Sequence, residues 1–232
     1  PWAENIIHIS YGMVELPTGK MKSREGKVVD ADDLLDEMYD TAKKITSELG
    51  KLEDFEGPEA MQLFTMVGLG ALKYFILKVD PKKNMLFNPE ESVDFSGNTG
   101  PFIQYTYARI QSLLRKARSA KGEEQRARSE VHSALPLALS KVSLSHTEKN
   151  ILKLIYSYPS VVEEAGATYS PALIANYVYE LAREYNQFYQ EIPVLKEANM
   201  QVRFFRLLMS EFTGRIIKRA MRLLGIDVPE RM

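Results

Sequence analysis

The chain has 232 residues, 45% of them hydrophobic and 26% charged, with a formal net charge of -1. That length allows one large or two smaller domains, and the balanced charge excludes a global attraction to nucleic acid, so any such face must be local. There is no cysteine, which excludes disulfides and thiolate metal sites and fits a reducing cytoplasm.

No membrane-spanning run and no signal-peptide pattern is read in the chain. It begins with Pro1 rather than Met, and we expect it to be cut from something longer. Ile6-Ile7-His8-Ile9 reads as a short strand, followed by glycine- and proline-rich loop. Between Gly19 and Lys27 lie three lysines (Lys20, Lys22, Lys27) and Arg24. A basic loop with glycine hinges can grip phosphate oxygens; a solvated turn is the plain alternative.

Asp30 can cap a helix from Ala31, with Leu34, Leu35, Met38, Ala42, Ile45 and Leu49 at helical spacing and Gly50 at its end. Pro58 opens a second helix, which Gly68 and Gly70 are expected to break in two. Residues 79–96 read as loop with an extended piece at Met85-Leu86-Phe87. Then Asn98 or Thr99 can cap a helix over Phe102–Arg118. Its apolar face holds Ile103, Tyr107, Ile110, Leu114 and Ala117, and a separate stripe holds Tyr105, Arg109, Ser112 and Lys116. The composition shifts here, so the domain boundary falls between residues 97 and 98.

Beyond a charged stretch, Lys121 to Arg128, helices are expected over 130–141, 146–157, 159–167, 171–190 and 199–224. Ser145 and Glu148 form a capping box, Pro159 starts a new helix, and Gly225 stops the last one. In that last helix Val202, Phe205, Met209, Phe212, Ile216, Ala220 and Leu223 form one apolar side. Arg203, Arg215, Lys218 and Arg222 lie opposite, with Phe204 and Leu207 interspersed. Such a face can hold a phosphate backbone and stack a base, or be merely solvated.

Several motifs fail. Gly12 to Gly19-Lys20 has the wrong gap for a P-loop, and Met21 stands where Ser or Thr must reach magnesium. Gly97 to Gly100 lacks the third glycine of a dinucleotide fingerprint. His8, His132 and His146 have no metal-ligand spacing.

Two stretches carry a family resemblance. Gly19-Lys20-Met21-Lys22-Ser23-Arg24-Glu25-Gly26-Lys27-Val28-Val29 resembles the KMSKS loop of class I aminoacyl-tRNA synthetases, in the KMSxR-x-G-x-VV form of arginyl-tRNA synthetases. Upstream, His8-Ile9-Ser10-Tyr11-Gly12-Met13-Val14 resembles the segment lining their adenine pocket. Gly97-Asn98-Thr99-Gly100-Pro101-Phe102-Ile103-Gln104-Tyr105 with Ala108-Arg109 resembles the GNTGPYxQY…AR signature that enters the anticodon-binding domain of the arginyl enzymes. Tyr158-Pro159, Glu180-Leu181-Ala182, Asn186 with Phe188-Tyr189, Arg203, Arg206-Leu207 and the terminal stretch from Leu224 to Met232 also match its pattern.

The resemblance implies a mainly α fold. Residues 1–97 would be the end of a Rossmann-type catalytic domain plus its stem, and residues 98–232 an all-α anticodon-binding bundle. It implies arginine–tRNA ligation, with arginine, ATP with Mg2+ and tRNA(Arg) as substrates, in a cytoplasmic, monomeric enzyme. Lys20, Lys22, Arg24 and Lys27 would stabilise the departing pyrophosphate. Gly12, Met13, Val14, Lys20, Met21 and Ser23 would line the ATP site, and Tyr105, Arg109, Asn186, Tyr189, Arg203 and Met232 would contact tRNA. No bound metal or prosthetic group is expected.

The chain departs from the pattern in three places of the loop: Lys22, Ser23 and Glu25 stand where Ser, Lys and often Lys are usual. The HIGH tetrapeptide, which holds ATP in this class, is nowhere in the 232 residues, so the chain alone is expected not to aminoacylate. A standalone RNA-binding module that has lost catalysis is the alternative; a structural helical adaptor leaves the basic loop unexplained.

Overall fold

A computed structural model describes residues 2–16, 19–20, 30–48, 57–119 and 143–232. A single 3-10 turn, Ala3–Asn5, precedes an extended stretch. Three short strands follow in space: β1 (Val14–Leu16) pairs antiparallel with β2 (Gly19–Lys20) and parallel with β3 (Met85–Leu86). The expected strand at Ile6–Ile9 does not form. Ile6, Ile7 and Ile9 are exposed, and no strand among the described residues lies beside them to complete a ladder.

The helices are α1 (Ala31–Glu48), α2 (Gly57–Leu77), α3 (Pro89–Ser92), α4 (Gly100–Ser119), α5 (His146–Thr168), α6 (Pro171–Glu191) and α7 (Met200–Leu223). The helix expected over 130–141 lies outside the described residues. Asp30 Oδ1 accepts from the Asp32 N–H, as its capping role requires. The Ser145–Glu148 capping box is complete. Gly225, at φ 68°, ends α7 in the left-handed conformation. The one-turn α3, capped by Asn88, had no periodicity to announce it.

Two expected breaks are absent. α2 runs unbroken through Gly68 and Gly70, because both glycines are there for their neighbours. A Cβ on Gly68 would sit 2.8 Å from Met38 O of α1, and one on Gly70 would sit 2.5 Å from Gln104 Nε2 of α4. Likewise α5 continues through Pro159. The proline removes one backbone donor, but Tyr158 before it packs 5.7 Å from Tyr177 of α6, and the Tyr177 hydroxyl donates to Leu154 O at 2.7 Å. Packing of the turn just before the proline against α6 holds a helix that its sequence disfavours.

Two cores result. The larger joins α4, α5, α6 and α7, with Ile103, Ile110, Ile151, Leu181, Tyr185 and Ile217 fully buried. The smaller is the stem, where Met38 and Ala42 of α1 meet Leu63, Val67 and Ala71 of α2, and Phe87 and Val93 close the end. Helix α2 serves both, since Tyr74 at its end belongs to the larger core. By length and composition α2 could cross a membrane, but its buried face packs against α1 and α4. On α7 the apolar side is turned slightly from the expected one, leaving Phe212 and Leu223 about half exposed.

Candidate nucleic-acid interface and nucleotide-side strands

The GNTGP stretch builds the joint between stem and bundle. The Tyr74 hydroxyl lies 2.6 Å from Asn98 Oδ1 and 2.9 Å from Ala175 O, and Lys78 Nζ donates to Asn98 O at 2.8 Å. Burial pushes the Tyr74 phenol far above its ordinary value and pulls the Lys78 ammonium below its own. Thr99 caps α4 by accepting from the Phe102 N–H at 3.3 Å. A Cβ on Gly100 would stand 2.5 Å from Gly70 O, so α4 starts in direct backbone contact with α2. Gln104, fully buried, donates through Nε2 to Met66 O (3.0 Å) and Asp227 O (2.8 Å). These residues of the signature have structural work to do; the next turn of α4 points elsewhere.

That next turn carries the cluster. The Arg109 guanidinium lies over the Tyr105 ring (4.8 Å from Cζ to the centroid) and over the Tyr189 ring of α6 (5.2 Å). Arg109 Nη1 donates to Asn186 Oδ1, and Asn186 Nδ2 donates to Thr106 Oγ1 at 2.7 Å. Tyr189 is 38% exposed, whereas Asn186 is 9% exposed. Four residues named from the stripe on α4 and the motif on α6 therefore come together, although 77 positions separate Arg109 from Asn186. Thr106 was missed: a threonine on the buried side of a helix carries no sequence signal.

Beside Tyr105 a cavity of about 640 Å3 is lined by Ile45, Glu90, Glu91, Asp94, Phe95 and Ser96. Its three carboxylates make this flank acidic, and Phe95 meets Tyr105 edge-on at 6.4 Å. Met232, at the end of the tail, packs against the stem core, as Phe95 does. Arg203 stands half-buried on the first turn of α7. Farther along α7, Arg215 pairs with Glu211 at 2.7 Å and Lys218 approaches Glu230 at 4.0 Å, which partly neutralises the basic face.

On the nucleotide side, Gly12, Met13 and Val14 lead into and begin β1. The Gly12 N–H donates to Pro81 O at 2.6 Å, and a Cβ there would overlap Lys83 O at 2.2 Å, so the backbone lies directly on the 81–84 turn. The Met13 N–H donates to Asn84 Oδ1 at 2.8 Å. Gly19 and Lys20 form β2, so the basic run starts on a hairpin at the sheet edge. Met21, Lys22, Ser23, Arg24 and Lys27 lie outside the described residues. Among the described residues no group of three His, Asp or Glu side chains could hold a metal ion.

A short strand pair at the start of a basic run of sequence, a helical stem and a helical bundle define a class of protein, and comparisons agree on it. Residues 1–88 match the class I tRNA synthetase (R) catalytic domain, and residues 103–232 match the DALR anticodon binding domain. The chain is 55% identical over 232 residues to the arginine–tRNA ligase of Parabacteroides distasonis, and 55% identical over 231 residues to that of Flavobacterium psychrophilum. Both alignments take in all of this chain but only 37% and 36% of the relative. Among solved structures, Thermus thermophilus arginyl-tRNA synthetase superposes with a TM-score of 0.80 at 28% identity, covering 99% of this chain and 36% of that one. The Plasmodium falciparum arginyl-tRNA synthetase gives 0.72 at 25% identity, covering 97% and 35%. The chain belongs to the arginyl-tRNA synthetase family of class I and spans a little over a third of the length of these relatives.

Proposed function

We propose that this chain is the tRNA-holding and loop-bearing part of an arginine–tRNA ligase, a cytoplasmic enzyme acting as a monomer. In the whole enzyme the arginine carboxylate attacks the α-phosphate of ATP, supplied with Mg2+ as substrate, to form arginyl-adenylate as the bond to the β-phosphate breaks. Pyrophosphate leaves, and the arginyl group then passes to the terminal ribose of tRNA(Arg). The bundle, residues 98–232, grips the tRNA. The observation that carries this reading is the cluster of Arg109, Tyr105, Tyr189 and Asn186, where a cation and aromatic rings stand together at the surface of a bundle of the anticodon-binding family.

The boundary at 97/98 is supported by the two family matches, which end at 88 and begin at 103. Lys20, Lys22, Arg24 and Lys27 would stabilise charge on the leaving pyrophosphate, as preorganised cations do in phosphoryl chemistry. Gly12, Met13, Val14, Met21 and Ser23 would face the nucleotide. Arg203 and Met232 would extend the tRNA contact beyond the central cluster.

The test has two arms. The purified chain should bind a tRNA(Arg) transcript, with affinity falling as salt rises because phosphate contacts release counterions. It should give no ATP–pyrophosphate exchange by itself, since only one half of the nucleotide site is in these residues. Failure to bind tRNA removes the reading of the bundle; a clear exchange signal removes the reading of a divided site.

A further inference from the structure

Met13, at the entry to β1, is fastened by both of its backbone groups. Its carbonyl accepts from the Met85 N–H at 2.9 Å, and two residues on the Phe87 N–H donates to Glu15 O at 2.7 Å, which sets the parallel register of β1 on β3. In a regular parallel ladder of this register the Met13 N–H would go to the carbonyl of residue 83. The chain turns there instead. The Lys83 N–H closes the turn on Asp80 O at 2.9 Å, and the Lys82 N–H donates to Asp80 Oδ1 at 2.9 Å. Lys83 O is left lying against Gly12, where a Cβ would come to 2.2 Å from it. The Asn84 side chain supplies the acceptor that the ladder lacks: its Oδ1 takes the Met13 N–H at 2.8 Å, across 71 positions of sequence. The root of the turn is tied to the bundle, since Asn176 Nδ2 of α6 donates to Lys78 O at 3.3 Å.

We propose that Asn84 is a positioning residue for ATP: by standing in for a ladder carbonyl it holds Met13 and Val14 where they meet the base of the nucleotide. This rests on the reading of Gly12, Met13 and Val14 as the strand that faces the nucleotide, and it names the residue that sets that strand in place. Asn84 acts through the Met13 N–H, so the role needs an acceptor at Oδ1 and not an amide as such. Strand β1 has only three residues, so few ladder bonds share the load and the bond at its entry counts. Gly12 works beside it. Its N–H donates to Pro81 O at 2.6 Å, and its missing side chain lets the turn come into backbone contact.

The experiment uses the full-length enzyme that carries this chain, assayed by ATP–pyrophosphate exchange with arginine and tRNA(Arg) present. Asn84→Leu, close in size but without an acceptor, should raise KM for ATP roughly three- to tenfold, the weight of one hydrogen bond, while kcat changes by less than about twofold. KM for arginine should not move. The preference for ATP over ITP, which has a carbonyl in place of the exocyclic amine, should fall by a similar factor, because a displaced strand reads the base less well. Asn84→Asp, which keeps the acceptor, should retain the KM for ATP of the unaltered enzyme. An unchanged KM in Asn84→Leu, or an equal rise in Asn84→Asp, removes the positioning role. If KM rises together for ATP, ITP and arginine, the loss is one of general structure and the proposal is wrong. Should Asn84→Leu fail to fold, Asn84→Ala decides by the same measures. An unaltered enzyme that uses ATP and ITP alike would overturn the reading of the strand as facing the base, and one that gives no exchange at all would overturn the ligase reading.

Discussion

Gly100 shows how a single residue sets the joint of this molecule. Its Cα faces the Gly70 carbonyl of α2, and an added Cβ would come to 2.5 Å from that backbone oxygen. Backbone cannot rotate aside as a side chain can. Gly100→Ala should therefore push α4 off α2 and cost about 1–3 kcal/mol, the usual range for overpacking. A chemical denaturation midpoint reads this directly; an unchanged midpoint would mean that the helices are not in backbone contact. Gln104 depends on the same spacing, since its amide reaches Met66 O and Asp227 O only while the two helices stay close.

At the scale of the element, α5 is the informative case. Pro159 lies inside a 23-residue helix, where an interior proline is disfavoured by roughly 3 kcal/mol relative to alanine. Part of that is returned by the smaller entropy of the unfolded chain, about 0.4–1 kcal/mol. Pro159→Ala should thus stabilise the chain by about 2–2.5 kcal/mol, seen as a higher midpoint with an unchanged helix content. A loss of stability would show that the ring packs where the helix needs it. The other end of α5 is secured differently. Glu148 is almost fully buried, accepting from the Ser145 N–H at 2.7 Å and from Arg206 Nε of α7 at 2.8 Å. One carboxylate thus completes the capping box and ties two helices together.

For the whole molecule, the tail after α7 is the strap between the two cores. Lys73 Nζ of α2 donates to Gly225 O at 2.7 Å, Gln104 to Asp227 O, and Arg115 of α4 to Glu230 O at 2.9 Å, before Met232 reaches the stem core. Stem and bundle should therefore unfold together. Three buried phenols give this a pH signature: burial raises Tyr74, Tyr177 and Tyr185 well above their ordinary value. In the unfolded chain they ionise near pH 10. Their contribution to stability is then fully present below that pH and is lost as pH rises from it toward the raised folded values. Circular dichroism followed with phenolate absorbance should show helix loss accompanying a late absorbance step above about pH 10. Complete phenolate formation with helicity intact would contradict the burial of these rings.

By itself the sequence determined the helical class, the caps at Asp30, Ser145 and Gly225, and the family resemblance. Each of these is written in local spacing or in a contiguous motif, and local rules decide them. Only the tertiary structure decided that α2 and α5 would run unbroken through glycines and a proline, because neighbouring helices there outweigh intrinsic propensity. It also decided which residues of the signature hold the joint and which face outward. Asn98, Gly100 and Gln104 are taken up by contacts with α2 and the tail, while Arg109 meets Tyr189 and Asn186 on a helix far along the chain. Thr106 entered the cluster in the same way: its hydroxyl matters because α6 lies against it, and no pattern along α4 records which helix will come to rest there.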